Sequence, residues 1–220
     1  MVAEAYRQRF APYVDRMARP FLGWSPNSLS GLALALAVAA AVVAAAVRWS
    51  TPLLFLPVGL LIFLAGVFDV LDGTVARTTG RSSVRGDFLD HVFDRYADVV
   101  ILLGLAVSSF AFPPLALLAL VSLLLTSYMG TQAQAVGQGR LYGGLLTRAD
   151  RLVILAAAAF VEFDLALPWP WAPGAPLARI HFGGLTFTVL DLALIYFVIA
   201  GQATALVRAR RVYRALPPAS

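Results

Sequence analysis

The sequence predicts an all-α integral membrane protein, with six transmembrane helices behind an N-terminal amphipathic helix lying in the membrane interface. Three observations carry that reading. Hydrophobic residues make up 60% of the 220 and charged residues only 13%, whereas soluble domains sit at about 45–50% apolar and about 25% charged. Apolar runs near the roughly 20 residues that a bilayer span needs recur along the chain. The arginines fall unevenly among the breaks between those runs. The length suits one domain, 1–220, built from an interfacial segment (1–24) and a six-helix bundle (25–220). Neither a solenoid-type repeat nor a second domain is visible.

Taken in order, residues 5–21 lack the apolar core of a signal peptide. Tyr6, Phe10, Tyr13, Val14, Met17 and Phe21 recur every three or four positions, and Arg7, Arg9, Asp15 and Arg16 take the other side. That pattern is an amphipathic helix at the interface. Ser25-Pro26-Asn27 punctuates the chain before a first span at about 27–47. A turn at 48–52 leads to a second helix at about 53–77, which gathers its acids in its last third. A polar loop, 78–85, offers Arg81, Ser82 and Arg85 as phosphate donors. The third helix, about 86–110, carries its acids in its first third. Phe112-Pro113-Pro114 turns the chain into a fourth helix at about 115–135. A Gly-rich loop with Arg140 (137–147) precedes a shorter fifth helix at about 148–163. The longest loop, 164–184, is rich in Pro and Trp, and Trp169 and Trp171 suit an interfacial belt. A sixth helix at about 185–207 ends in an Arg-rich tail.

All 17 basic residues are arginine, and there is no cysteine. Lysine Schiff-base chemistry, a Walker-type P-loop, disulfides and thiolate metal sites are therefore excluded. The isoelectric point near 10.1 raises the thought of nucleic acid, but the arginine positions explain it better. With the N-terminus inside, Arg7, Arg9, Arg16, Arg19, Arg77, Arg81, Arg85, Arg140, Arg148, Arg151, Arg208, Arg210, Arg211 and Arg214 all fall on the cytoplasmic side. Arg48 and Arg179 fall outside, and Arg95 lies within the third helix. Both termini are thus expected in the cytoplasm, beside anionic lipid headgroups, with no nucleic-acid partner.

The chemistry is expected between Asp69 and Asp94. Asp69 and Asp72 are i, i+3 on the second helix, and Asp90 and Asp94 are i, i+4 on the third, so each pair shares a helix face. Acids are costly inside a bilayer and mark function there. The second helix runs inward and the third outward, so the four carboxylates should meet near the cytoplasmic surface. The short loop between the two helices predicts that they pack side by side. Carboxylates converging in this way repel one another unless something positive lies between them. Oxygen-only ligation favours one or two Mg²⁺ or Mn²⁺ ions over Zn²⁺, and such ions commonly bind phosphates and promote displacement at phosphorus. Gly73, Ala76 and Gly86 leave room for a ligand beside them, although small residues also serve close helix packing. Asp87 reads as a cap at a helix N-terminus, where a carboxylate is favoured by the dipole. Asp98 continues the 90–94–98 face one turn deeper, a candidate partner of Arg95. His91 and His181 are read as outside the site, and Asp191 has no functional reading.

The run Asp69-x2-Asp72-Gly73-x2-Ala76-Arg77-x8-Gly86-x3-Asp90-x3-Asp94 resembles, at all eight fixed positions, the signature of the CDP-alcohol phosphotransferase family. The interfacial helix, the Pro-Asn step and the six spans extend the likeness over the rest of the chain. The resemblance implies a transferase that moves a phospholipid-type group from a CDP-activated lipid to a polar alcohol and releases CMP. It implies that Asp69, Asp72 and Asp90 are metal ligands. By the same resemblance Asp94 would also lie at the metals and act as general base. Arg77 would hold the donor's phosphates, Gly73, Ala76 and Gly86 would line the CDP site together with Asp69, and the enzyme would be a homodimer.

For the acceptor, Ser127-Tyr128 and the stretch from Gly139 to Arg151 resemble the phosphatidylinositol-phosphate and archaetidylinositol-phosphate synthase branch. There Arg148 and Arg151 would bind the phosphate of an inositol phosphate, a group that suits bidentate arginine. The same arginines also fit ordinary positive-inside flanking. The basic residues that this branch carries after Ser-Tyr are replaced by Met129 to Gln134, which weakens the case for a phosphorylated acceptor and favours serine or a free polyol; glycerol phosphate, without the Lys-rich pattern of its branch, stays as the runner-up. A transporter or channel lined with acids is the rival of another class. It would spread its acids along a path and would have no need of Gly73, Ala76, Arg77 and Gly86.

Overall fold

A computed structural model describes residues 11–108, 110–139, 144–167, 180–182 and 185–216. The first ten residues, Arg140, the loop residues 168–179 with Trp169 and Trp171, and the last four residues lie outside the described residues. The described residues form six long helices: α1 Pro26–Ala46, α2 Phe55–Thr78, α3 Val84–Val107, α4 Pro113–Ala135, α5 Arg148–Ala166 and α6 Val189–Ala215. Residues 11–18 are also helical. Four regions, Pro26–Trp49, Pro52–Thr78, Pro113–Ala135 and Val189–Ala215, are long and apolar enough to cross a membrane.

Local chemistry sets the boundaries. Ser25 caps α1, its side chain accepting from the Ser28 amide at 3.1 Å, with Pro26 in the first turn, where a missing N–H costs nothing. α2 ends because Gly80 adopts φ +66°. The Arg81 amide then reaches back to the Ala76 carbonyl at 2.9 Å, a left-handed glycine stop. Ser83 caps α3 through the Gly86 amide at 3.0 Å, so Asp87 sits in the first turn and is not the cap. Reciprocal capping boxes start α5 (Thr147 with Asp150) and α6 (Thr188 with Asp191).

Three details differ from the sequence expectation. Leu185–Phe187 is not the start of the sixth helix but a strand, β2, paired antiparallel with β1, Ile180–Phe182. The Thr188–Asp191 capping box places the helix start at Val189. At its other end α6 runs on to Ala215, so the Arg-rich tail forms its last turns. Pro217 is the first residue there that opposes a helix. α3 spans Val84–Val107 instead of 86–110, and Ser108 stops it, its hydroxyl donating to the Leu105 carbonyl at 2.6 Å and accepting from the Phe110 amide at 3.2 Å.

The packing also corrects one expectation. α2 and α3 do not lie side by side; each packs along α1, and they make at most marginal backbone contact with one another. The cause is the small-residue face of α1. Ala33, Ala37, Ala40 and Ala44 are buried on it, and at Gly104 of α3 a Cβ would come within 2.6 Å of Ala41. Helices meeting through small residues approach closely, so α1 takes the space between the two acid-bearing helices. α5 packs on α2 and α6, and α4 on α3 and α6. Phe55, Ile62, Ile101, Leu102, Leu155, Leu194 and Phe197 belong to the main apolar core. A second cluster of Ala18, Leu29, Leu71 and Val75, with Phe21 and Phe68 against it, ties the N-terminal segment to the ends of α1 and α2.

Candidate active site

With α2 and α3 held apart on α1, their acids close the gap between them. Carboxylate oxygens of Asp69, Asp72 and Asp90 lie within 4.8 Å of one another. Asp72 is 5% exposed, and it accepts a hydrogen bond from the Ser30 hydroxyl of α1 at 2.5 Å. Three carboxylates this close repel one another, and a cation between them would relieve that repulsion. The oxygen-only donor set, with no Cys or His in the group, fits a hard divalent cation. Asp94 is not part of that trio. The guanidinium of Arg148, the first residue of α5, bridges Asp69 and Asp94 by ion pairs to both.

Beside the acids lies a cleft of about 220 Å³. Asn27 and Ser30 from α1, Asp72, Gly73, Ala76 and Arg77 from α2, and Gly86 and Asp90 from α3 line it. Arg81, Ser82 and Ser83 of the connecting loop close its outer side, whereas Arg85 is not among its walls. Six of the eight signature residues thus meet around one space. The two glycines have a clear role there. A Cβ on Gly73 would stand 3.1 Å from Arg77 Nη1, and one on Gly86 would stand 3.2 Å from Ser83 Oγ. Side chains at either position would press on the groups that face the cleft. Arg77 is exposed at the mouth, with Nη2 donating to the Thr74 hydroxyl at 3.2 Å. Arg81 Nη1 donates to the Trp24 carbonyl at 3.2 Å, tying the loop to the N-terminal segment.

Arg151 lies differently from the expectation that it flanks an acceptor together with Arg148. It is buried, and its Nη2 donates to Asp98 Oδ2 at 2.8 Å. Arg95 approaches the same Asp98 oxygen at 3.1 Å, the pairing that the sequence raised for Asp98. His91 turns to Asp87, with Nδ1 at 2.6 Å from its carbonyl oxygen and 3.5 Å from its carboxylate, and is not part of the acid trio. Asp191, which had no reading, joins the α6 capping box and accepts from the Phe112 amide at 2.7 Å. The residue that sequence reasoning missed is Ser30. The signal was there: a hydroxyl one turn past the Pro-Asn step, the last polar side chain before a run of Gly, Ala, Val and Leu.

This geometry is that of a phosphoryl-transfer protein set in a helical bundle, and comparison with known proteins places it. The family model for CDP-alcohol phosphatidyltransferase matches residues 24–190. The chain belongs to that family, and it is an integral membrane protein. It is 31% identical over 172 residues to a phosphatidylinositol phosphate synthase of Mycobacteroides abscessus, covering 74% of this chain and 76% of that one. It is 37% identical over 109 residues to an archaetidylinositol phosphate synthase of Methanothermobacter thermautotrophicus, covering 50% of this chain and 55% of the other. An archaetidylinositol phosphate synthase of Pyrococcus horikoshii is 34% identical over 101 residues, 46% of this chain and 54% of that one. The matched stretch thus spans about half the length of the two archaeal relatives. The fold is shared with the crystal structure of a Mycobacterium tuberculosis phosphatidylinositol phosphate synthase with CDP-DAG bound. The TM-score is 0.69 at 24% identity over 94% of this chain and 98% of the other. The same enzyme in complex with manganese and citrate gives a TM-score of 0.70.

Proposed function

We propose that this chain transfers a phosphatidyl or archaetidyl group from a CDP-activated lipid to inositol phosphate and releases CMP. The observation that carries the reading is the meeting of Asp69, Asp72 and Asp90 beside a cleft walled by Gly73, Ala76, Arg77 and Gly86, with Arg148 on the acids' other side. Asp69, Asp72 and Asp90 would hold one or two Mg²⁺ or Mn²⁺ ions. A bound ion would supply charge neutralisation at the diphosphate and at the departing CMP. The four small or basic signature residues receive the cytidine diphosphate, and Arg77 binds its phosphates at the mouth. Asp94 accepts the proton of the acceptor hydroxyl. The hydroxyl oxygen then bonds to the β-phosphorus, and the bridging oxygen leaves with CMP. Arg148 offers its guanidinium to the acceptor's phosphate and holds it near Asp94.

The relatives' names support the inositol phosphate acceptor, since those proteins are synthases of phosphatidylinositol phosphate or archaetidylinositol phosphate. One observation favours a second reading. Met129 to Gln134, after Tyr128, contain no basic residue, which suits glycerol phosphate less well than it suits serine or a free polyol. Around the site, we place all six helices across the membrane, with both termini and the cleft on the cytoplasmic side. Tyr13 and Met17, both exposed, lie in the interface, and two copies form a homodimer. Membership of a transferase family sets the transporter reading aside.

The test is CMP release by the purified enzyme with CDP-diacylglycerol and Mg²⁺ across inositol phosphate, glycerol phosphate, serine and inositol. Release with inositol phosphate, lost in excess EDTA and restored by Mg²⁺ or Mn²⁺, is the expected result. Release with another acceptor alone reassigns the Arg148 site. Activity that persists in EDTA overturns the metal reading.

A further inference from the structure

α3 and α5 make at most marginal backbone contact, since α3 packs on α1 and α4 while α5 packs on α2 and α6. The gap between them is crossed by charge. Arg148 and Arg151, three residues apart on α5, grip Asp94 and Asp98, four residues apart on α3. The two pairs form rungs of a ladder, because those spacings each bring two side chains to one helix face. The rungs differ in setting. The Arg148 rung opens onto the metal-binding acids through Asp69. The Arg151–Asp98 rung is sealed, with both residues 5% exposed. Arg151 Nε is buried without a hydrogen-bond partner, while its Nη2 donates to Asp98 Oδ2; Arg95, on the same helix as Asp98, meets that oxygen at 3.1 Å and cannot itself bridge to α5. A buried pair is a poor source of net stability, but removing one partner is costly, and its best-attested use is to fix geometry.

We infer that Arg151 and Asp98 are a positioning pair, which sets the first turn of α5 against α3 and thereby seats Arg148 over Asp69 and Asp94. Arg151 acts through Arg148 and does not touch the acceptor. The inference rests on the reading of Arg148 given above, and its first readout is independent of any reaction.

The chain has no cysteine, so His91→Cys and Val153→Cys accept spin labels at two exposed or half-exposed positions on α3 and α5. Pulsed electron–electron distance measurement on the full chain in nanodiscs should give a narrow distribution. Asp98→Asn and Arg151→Gln should each broaden it, the double variant no further, and Arg151→Lys should restore most of it. An unchanged distribution in both single variants overturns the inference whatever the substrate proves to be. With the acceptor identified, both single variants should raise its KM by about tenfold, the scale of coupling between contacting residues. Mn²⁺ binding, followed by electron paramagnetic resonance, should persist in the same variants and tighten if anything, because a displaced Arg148 no longer competes for Asp69. A raised acceptor KM in Arg151→Gln with Asp98→Asn silent would instead mean that Arg151 contacts the acceptor itself. Absence of CMP release by the unmodified enzyme would sink the functional reading and leave the distance result to stand on its own.

Discussion

Buried carboxylates stand at both ends of this bundle, and their surroundings differ in kind. At the end away from the cleft, Asp191 accepts from the backbone amides of Thr188 at 2.9 Å and Phe112 at 2.7 Å. Those partners are neutral N–H groups at a helix start, where a negative charge is also favoured by the helix dipole. At the cleft, Asp69, Asp72 and Asp90 face one another; Arg148 meets Asp69 from one side, and the Ser30 hydroxyl on Asp72 is neutral, so the acids still repel one another across the space they share. Asp72 and Asp191 are alike in residue type and burial, at 5% and 1% exposed. Their partners tell an acid bound into a helix start from an acid crowded by other acids.

The comparison breaks most visibly at Asp94. Asp94→Asn keeps the size and loses the proton acceptor, so turnover should fall by about 10²–10⁴-fold, the usual worth of a general base. CDP-lipid binding should stay near the unmodified level, because Asp94 does not line the cleft. CMP release against nucleotide binding measures the split, and near-normal turnover would remove Asp94 from the base role. The same exchange at the other end, Asp191→Asn, should leave turnover per folded enzyme unchanged.

Ser30 sharpens the contrast on a smaller scale. Its hydroxyl orients Asp72 at 2.5 Å, the kind of support whose loss costs about 10–100-fold in metal affinity. Ser30→Ala should therefore raise the Mn²⁺ concentration needed for half-activity and weaken the Mn²⁺ resonance titration in parallel. Equal metal binding in the variant would mean that α1 serves only as a spacer.

The acids, the small residues and the helices were legible in the sequence because each is local: a run of apolar residues, an i, i+3 or i, i+4 spacing, a Pro or Gly break. The partners were not. That Ala33, Ala37, Ala40 and Ala44 of α1 would draw in both α2 and α3 depends on which small faces meet in space, and a short loop between Thr78 and Val84 argued for the wrong neighbours. Arg148 and Arg151 looked equivalent on one helix turn. Only the positions of Asp94 and Asp98 across the gap set one beside the metal ligands and the other in a sealed pair. The β1–β2 ribbon was hidden by an apolar stretch that reads equally well as helix until the Thr188–Asp191 box is given its weight.

The smallest effect tests the fold-holding side. Asp191→Ala removes the N3 acid of the α6 capping box and orphans the Phe112 amide. Loss of a cap with a buried donor left unpaired costs about 1–3 kcal/mol. The melting midpoint in detergent should therefore drop, while KM for both substrates and Mn²⁺ affinity stay as before, since the lesion lies at the end of the bundle opposite the cleft. If Asp191→Ala instead lowered metal affinity at unchanged stability, the two ends would be coupled through α6, and the division between structural and catalytic acids would have to be redrawn.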